Sequence, residues 1–409
     1  MAMMHWKSGS RVCLSVAVAM FLTVATGFSA GVAAAASPSQ WVKDFWPTAK
    51  AAGVSRKTYN AALGNFQPDP EVLEKAANQA EFNLEIWEYL HNTVTEKRIV
   101  EGRQLLVTHS SLLDQIERRY GVDRHIVMAI WAMESSYGAV FEKPDRVKGT
   151  IRSLATLAYH GGRLAKFGRQ QLVAALKILD RGDVPLSGMV GSWAGAMGHT
   201  QFIPTTYQAY AVDFDGDGRR NIWTSVGDAL ASTASYLDKM GWRSGETWGY
   251  EVVLPRGFNL RAKPRSLAQW ERAGVRRANG RGFPRGGDSA SLFAPAGASG
   301  PAFLLIKNFS VIKRYNNANS YALAVGHLAD RLHGYDAFVG QWPWAEPPLS
   351  ENEKTQLQEL LMARGYYSGD IDGNIGSGSR EAISAYRQAI GLSDDAGLQK
   401  ILQLLQAGR

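Results

Sequence analysis

Glu134 stands where a charge is costly, on the apolar side of a helical segment running from Gly121 to Gly138. Ile126, Ile130 and Glu134 follow at i, i+4 and i+8, and Val127 and Trp131 border the same stripe. Burial disfavours the ionised form of a carboxyl, and a glutamic acid kept protonated near neutrality is what general-acid chemistry requires. The alternative is a structural ion pair with an arginine such as Arg152 or Arg163. A second stretch, Ser192 to Tyr207, sets small residues around Met197, so backbone and ligand can approach closely, while Ser192, Gln201 and Tyr207 offer neutral hydrogen-bonding groups. Such a set suits a sugar, which presents hydroxyls and acetamides rather than charges; a tight turn leading into a helix is the plainer reading. A third group, Asp213, Asp215, Asp217 and Gly218, occupies positions 1, 3, 5 and 6 of an EF-hand loop with Arg219 at 7, but position 12 is Thr224 and Asp228 is the nearby acid. A structural calcium is one reading, and a turn capped by its own aspartates is the other.

The elements that must position these groups are mainly helical. Helical spacing runs from Pro38 to about Tyr120, through Ile151 to Leu179, over Asp228 to Met240 with Gly241 as the closing cap, and over Tyr321 to Leu332. Between Gly245 and Gly300 the composition shifts to Gly, Arg, Pro and Ser with short β-like pieces such as Tyr250 to Leu254, which predicts a loop-rich insertion. Trp342 to Ser350, with Pro343, Pro347 and Pro348, reads as a linker.

The chain has 409 residues, 45% of them hydrophobic and 20% charged, enough for a large core and a second domain. Lys7 and Arg11, the apolar run Val12 to Val24 and the small residues Ala34 to Ala36 predict a cleavable signal peptide over 1–36, with the mature chain starting near Ser37. Cys13 is the single cysteine, precedes any position suited to lipid attachment and lies in the leader, so disulfides and cysteine metal sites are excluded from the mature chain. The net charge of +8 favours an anionic polymer or surface. The basic residues are scattered apart from Arg-rich patches at Arg261 to Arg285, without a basic helical stripe interleaved with aromatics, which argues against nucleic acid.

Glu134 to Gly138, then Gly195 to Pro204, then Val212 to Gly218, resemble the membrane-bound lytic murein transglycosylase B family in the family's order, over roughly Trp41 to Tyr335. The resemblance implies a lysozyme-like helical catalytic domain with Glu134 as its sole catalytic acid. It further implies a glycan cleft lined by Tyr89, Ser192, Met197, Gln201, Phe202, Tyr236, Tyr315 and Asn316. The member of that family known to hold a metal at this loop has an acid where this chain has Gly227. Leu349 to Leu405, with Arg364 to Gly373, Ile375-Gly376 and Gly391-Leu392, resembles the small three-helix peptidoglycan-binding domain; it departs at Ser377 to Ser379 and at Arg387.

The expectation is therefore a mainly α protein, with a signal peptide at 1–36, a catalytic domain with a small loop/β insertion at 37–345 and a peptidoglycan-binding domain at 346–409. It is expected to be a periplasmic lytic transglycosylase that cleaves the β-1,4 bond between N-acetylmuramic acid and N-acetylglucosamine and leaves 1,6-anhydro ends. A hydrolytic muramidase and a non-catalytic wall-binding protein are the rivals. Glycan strands are the expected partner, with wall-synthesis proteins as companions; the protein is expected as a monomer and without a required cofactor.

Overall fold

The computed structural model describes residues 37–77, 84–344, 346–393 and 396–408; the predicted signal peptide, with Cys13, lies outside the described residues. No helix among them is long and apolar enough to cross a membrane. Among the described residues compactness divides the chain into two units, the first formed by 37–77, Glu96–Gly249 and Ile306–Asp336, the second by Leu84–Thr95, Tyr250–Leu305 and those from Ala337 on.

In the first unit the Glu134 helix, Arg124–Ser135, is central. Every residue from Ile126 to Ala132 is buried, so the helix is apolar all round rather than along the single stripe its spacing suggests. Asp123 caps its start by accepting from the His125 amide at 2.7 Å. Helices Asn319–His333, Glu96–Thr108 and Val226–Lys239 pack around it. Thr150–His160 and Ala165–Arg181 form a close pair against which Pro204–Tyr210 lies. A two-residue antiparallel ladder, β1 (Lys148–Gly149) with β2 (Val190–Gly191), ties the start of that pair to the approach of the Ser192 loop.

The second unit contains the predicted insertion as an antiparallel sheet. Its strands are β3 (Gly249–Val253), β4 (Arg265–Ser266), β5 (Arg276–Arg277), β6 (Ser289–Phe293) and β7 (Ala302–Leu305), in the order β4-β6-β7-β3-β5. In β6 Ala290 is buried between exposed Ser289 and Ser291, the alternation of a half-covered strand, whereas β7, inside the sheet, is buried on both faces, with Phe303 and Leu304 fully so. The carboxyl end forms three helices, Glu351–Ala363, Ser377–Ala389 and Leu398–Gln406, around Leu357, Leu361, Ile383, Tyr386, Ile401 and Leu402. At their centre the buried Gln358 side chain accepts from the Gly373 amide at 2.8 Å and donates to the Asp372 carboxylate at 3.1 Å, fixing the Asp-Gly turn of the motif.

The Trp342–Ser350 run does not stand free as a spacer. The Trp342 ring stacks on Trp87 at 5.9 Å and faces Phe303 at 6.3 Å, Trp344 meets His91 edge-on at 5.7 Å, and the Leu349 carbonyl lies 2.9 Å from His91 Nε2. Its prolines prevent helix, but its tryptophans supply apolar area that packs on the short helix Ile86–Thr93 and on the sheet.

Candidate active site

Glu134 occupies the last turn of the central helix, one residue before its end. By surface area the side chain is only partly buried, yet protein atoms crowd its carboxyl. Desolvation pushes the pKa up to about 7, against the opposing pull of a hydrogen bond from the Tyr321 hydroxyl to Oε1 at 2.6 Å. No arginine enters that balance. Arg152, one of the two ion-pair candidates, instead donates to the carbonyls of Gln67 and Pro68 and approaches Asp69 at 3.7 Å, and the other, Arg163, is likewise not among the influences on Glu134. Glu142 and Asp145, the nearby acids in sequence, are exposed on short 3-10 turns.

Directly after Glu134 the chain reverses through three left-handed residues, Ser136 (φ 49°), Tyr137 (φ 56°) and Gly138 (φ 93°). Ser136, Tyr137 and Gln201 are the non-glycine residues with positive φ among those described, and all three fall in the two motif stretches. Each left-handed side chain costs about 1–2 kcal/mol, so the reversal persists because its surroundings hold it. Tyr137 is held by its hydroxyl donating to the Arg98 carbonyl at 3.0 Å and by an edge contact with Trp131 at 5.6 Å. Gly138 is required twice over, by its φ and because a Cβ there would strike the His199 ring.

His199 joins the two motifs. Its Nδ1 accepts from the Trp131 indole at 2.9 Å and its carbonyl accepts from the Ser135 hydroxyl at 2.8 Å. An indole N–H can only donate, so Nδ1 is unprotonated and the proton sits on Nε2. Burial pushes the imidazole pKa down and keeps it neutral. The helix carrying Glu134 is thereby clamped to the loop carrying Gln201 and Phe202.

That loop is a pair of tight reversals. Ser192 donates its amide to the Ala196 carbonyl at 2.8 Å and accepts the Ala196 amide on Oγ at 3.1 Å; fully buried Met197 bridges to Gly191 on one side and Phe202 on the other. Gln201 turns back to donate to the Gly198 carbonyl at 2.9 Å. Phe202, Tyr236 and Tyr315 form a triangle of rings with centroids 5.2 to 5.8 Å apart. The Tyr315 hydroxyl donates to the Thr200 carbonyl at 2.6 Å, that of Tyr236 to the Arg314 carbonyl, and Tyr315 feels the charge of Glu134. Burial raises the Tyr315 pKa well above its ordinary value, so it stays neutral.

Glu134, Met197, Gln201, Phe202, Tyr236 and Tyr315 are thus gathered in the first unit, with Ser192 shaping their loop. Asn316 is exposed at the end of helix Lys307–Tyr315. Tyr89 lies on helix Ile86–Thr93 of the second unit, where its carbonyl accepts from Thr93. Tyr321 carries no signal by type or spacing and meets Glu134 across 187 residues of chain, while Trp131 and His199 lie in the two motif stretches without any local sign that they bond to each other.

The Asp213–Gly218 loop holds itself together. Asp213 accepts the amides of Gly216 (2.7 Å) and Gly218 (2.9 Å), Asp215 that of Asp217 (3.2 Å), and Asp217 that of Arg219 (2.8 Å). Buried Asp228 accepts the Phe214 and Asn221 amides, both at 2.7 Å, which spends the acid nearest to position 12. Oxygens of Asp213, Asp215 and Asp217 still come within 4.8 Å of one another, and a carboxylate that accepts one N–H retains lone pairs for a hard cation.

Comparison with known proteins agrees with this geometry. Residues 37–330 match the transglycosylase SLT domain model and 350–397 the putative peptidoglycan binding domain model. Membrane-bound lytic murein transglycosylase B of Escherichia coli (strain K12) is 33% identical over 250 residues, which span 60% of this chain and 66%, just under two thirds, of that protein. The crystal structure of SltB3 from Pseudomonas aeruginosa in complex with NAG-anhNAM-pentapeptide is 47% identical, covering 90% of this chain and 99% of that one with a TM-score of 0.71. The Escherichia coli lytic transglycosylase SLT35 in complex with calcium is 28% identical over 73% and 93% of the two chains, with a TM-score of 0.59. With a lysozyme-like helical core, a raised glutamic acid at its centre and a family match over most of its length, the chain belongs to the transglycosylase SLT domain family.

Proposed function

We propose that this protein is a lytic murein transglycosylase that cleaves the bond between N-acetylmuramic acid and N-acetylglucosamine in peptidoglycan. The observation that carries the reading is Glu134: a carboxyl with a pKa near 7, hydrogen-bonded by a neutral tyrosine, beside a loop of close-approaching backbone and aromatic rings. Protonated Glu134 delivers its proton to the glycosidic oxygen as an oxocarbenium-like centre forms. The carboxylate so produced then takes the proton of the C6 hydroxyl of the same muramic residue. That oxygen is tethered to the reacting ring, so its attack outcompetes water and closes a 1,6-anhydro ring. No second carboxylate is needed, and the groups that set the protonation of Glu134 are burial and Tyr321 alone. The ring triangle of Phe202, Tyr236 and Tyr315 is proposed as the packed aromatic wall behind the cleft, with buried Met197 beneath its loop, and Ser192, Gln201 and Asn316 as further cleft residues.

The proposed domains are an exported leader at 1–36, a catalytic domain at 37–345 and a wall-binding domain at 346–409, the last supported by the match at 350–397. The periplasm is the proposed location. Calcium, where bound, would be held by Asp213, Asp215 and Asp217 and would stiffen their loop; the chemistry above does not pass through it.

Digestion of purified sacculi with mass analysis of the products tests the reading. Ends lighter by one water support it, reducing ends would make the protein a hydrolytic muramidase, and no products would make it a binding protein.

A further inference from the structure

The positive charge of this protein is concentrated in one place. Between Tyr250 and Leu305 there are nine Lys and Arg against three Asp and Glu, an excess of six. The leader at 1–36 holds Lys7 and Arg11 and no acid, which accounts for the other two charges of the net +8. The rest of the chain is electrically balanced, so the field of the mature protein comes from the insertion sheet and its loops.

The acids of this segment are largely spent. Glu251 accepts the amides of Val339 (2.9 Å) and Gly340 (2.7 Å), and Asp288 pairs with Arg285 at 2.8 Å. By contrast Arg256, Arg261, Lys263, Arg272, Arg276 and Arg281 are exposed and make no ion pair with a carboxylate among the described residues. They are held together by a small aromatic frame. Trp270 is fully buried, with Arg265 over its ring at 4.5 Å and Phe258 at 6.0 Å, and a Cβ on Gly274 would stand 2.9 Å from Pro255, so the loop after β3 lies against the turn before β5. Arg277 covers Tyr250 at 4.7 Å and donates to the Gly282 carbonyl at 3.1 Å, placing the Arg281 turn beside the same strand.

Eight of the nine cations are arginines, whose planar forks match carboxylates and are less strongly hydrated than ammonium groups. No aromatic residue of the segment is exposed, Tyr250, Trp270 and Phe303 being buried and Phe258, Phe283 and Phe293 half-buried; Val253 is its exposed large apolar side chain. A surface that inserts into lipid would show the reverse. We propose that this basic shell is a second binding surface of the protein, which takes the carboxylates of peptidoglycan's peptide stems and so favours stem-bearing strands over bare glycan.

The inference rests on peptidoglycan being the substrate, and its test is kept separate from turnover. Full-length protein carrying Arg256→Gln, Arg261→Gln, Arg272→Gln and Arg281→Gln is compared with wild type for pelleting with intact sacculi and with sacculi whose stem carboxylates have been capped as neutral amides by a carbodiimide and excess glycinamide, which leaves the cross-links and the insoluble mesh in place. The melting temperature and turnover of a short, stem-free soluble glycan serve as controls. Exposed ion contacts of this kind are worth two- to threefold each, so retention on intact sacculi at low salt should fall at least about tenfold, with little loss on carboxyl-capped sacculi and unchanged turnover. Wild-type retention should weaken steeply with added salt. Equal retention of wild type and variant, equal wild-type binding to carboxyl-capped and intact sacculi, or a loss seen only with anionic phosphatidylglycerol vesicles would each overturn the proposal. If the four substitutions together unfold the protein, the single variants Arg256→Gln and Arg281→Gln decide by the same comparison. Absence of turnover in wild type would instead strike the assigned reaction and leave the binding result standing.

Discussion

Replacing Glu134 by Gln separates the chemistry of the residue from its cost to the fold. The amide is isosteric and can still accept from Tyr321, so the site keeps its shape while losing the proton it must deliver. Turnover should vanish; a variant with a tenth of the wild-type rate, about 1.4 kcal/mol in barrier, would remove Glu134 from the mechanism. Stability should move the other way, and only over part of the pH range. The folded carboxyl holds its proton up to about pH 7, whereas the unfolded one releases it near 4.5. The folded state therefore binds the extra proton in that window. The associated stability is fully present below about pH 4.5 and is lost as pH rises through about 7. At pH 8 the ionised side chain costs the fold about 3 kcal/mol, from the displacement between those two values at about 1.4 kcal/mol per decade. Gln carries no such penalty. Thermal melts at pH 4.5 and pH 8 should show little difference between the two proteins at the lower pH and a variant more stable by about 5 °C or more at the higher. A variant that melts below wild type at pH 8, or a difference that does not depend on pH, would refute the claim that desolvation sets the protonation of this group.

Tyr321→Phe removes the hydrogen bond that lowers the Glu134 pKa, so the pH above which kcat/KM declines should move upward; an unmoved profile would show that the hydroxyl does not govern the proton. Gly138→Ala forces a side chain into a left-handed residue and against the His199 ring, and should destabilise by roughly 2 kcal/mol or more in urea unfolding. With no acid at the twelfth position and Asp228 spent, calcium should raise the melting temperature only at roughly millimolar concentration, and chelation of protein purified without calcium should change nothing. Ending the chain at Ser350, which preserves the Leu349 carbonyl contact with His91, should reduce pelleting with sacculi while sparing turnover of soluble glycan.

The sequence made some of this legible and hid the rest for identifiable reasons. Periodicity located the long helices and composition located the insertion, because these signals are local; the helix ends fell within a few residues of the observed caps at Asp123 and Ser225. The Glu134 segment was legible as a helix with a misplaced charge, yet its all-round burial was not, because Ala129, Ala132 and Met128 carry little directional signal. The Pro-rich run was misjudged in character: proline content reports the absence of helix, and nothing local says that Trp342 finds Trp87 across more than two hundred residues. Tyr321, and the part His199 plays within its motif, are hidden for the same reason. Each is an ordinary residue on its own segment and acquires its part only through a distant partner.

The position of the Glu134 pKa follows from two opposed influences, and the proposed reaction needs both. Desolvation alone would hold the proton too firmly, since a carboxyl surrounded by neutral rings resists ionising and would be a poor base for the second step. The Tyr321 hydroxyl stabilises the carboxylate and brings the pKa back to about 7. An arginine in its place, as in the ion-pair alternative, would overshoot, leaving a permanently ionised group that could not begin the reaction. A neutral donor is strong enough to permit ionisation and too weak to enforce it. One residue that must be acid and then base within a single turnover is best served by equal access to both states near the working pH. The neutral imidazole of His199 and the neutral phenol of Tyr315 belong to the same logic, because a full charge on either would tip the balance. The clamp between Trp131, His199 and Ser135 therefore fixes the geometry of the site without disturbing its electrostatics.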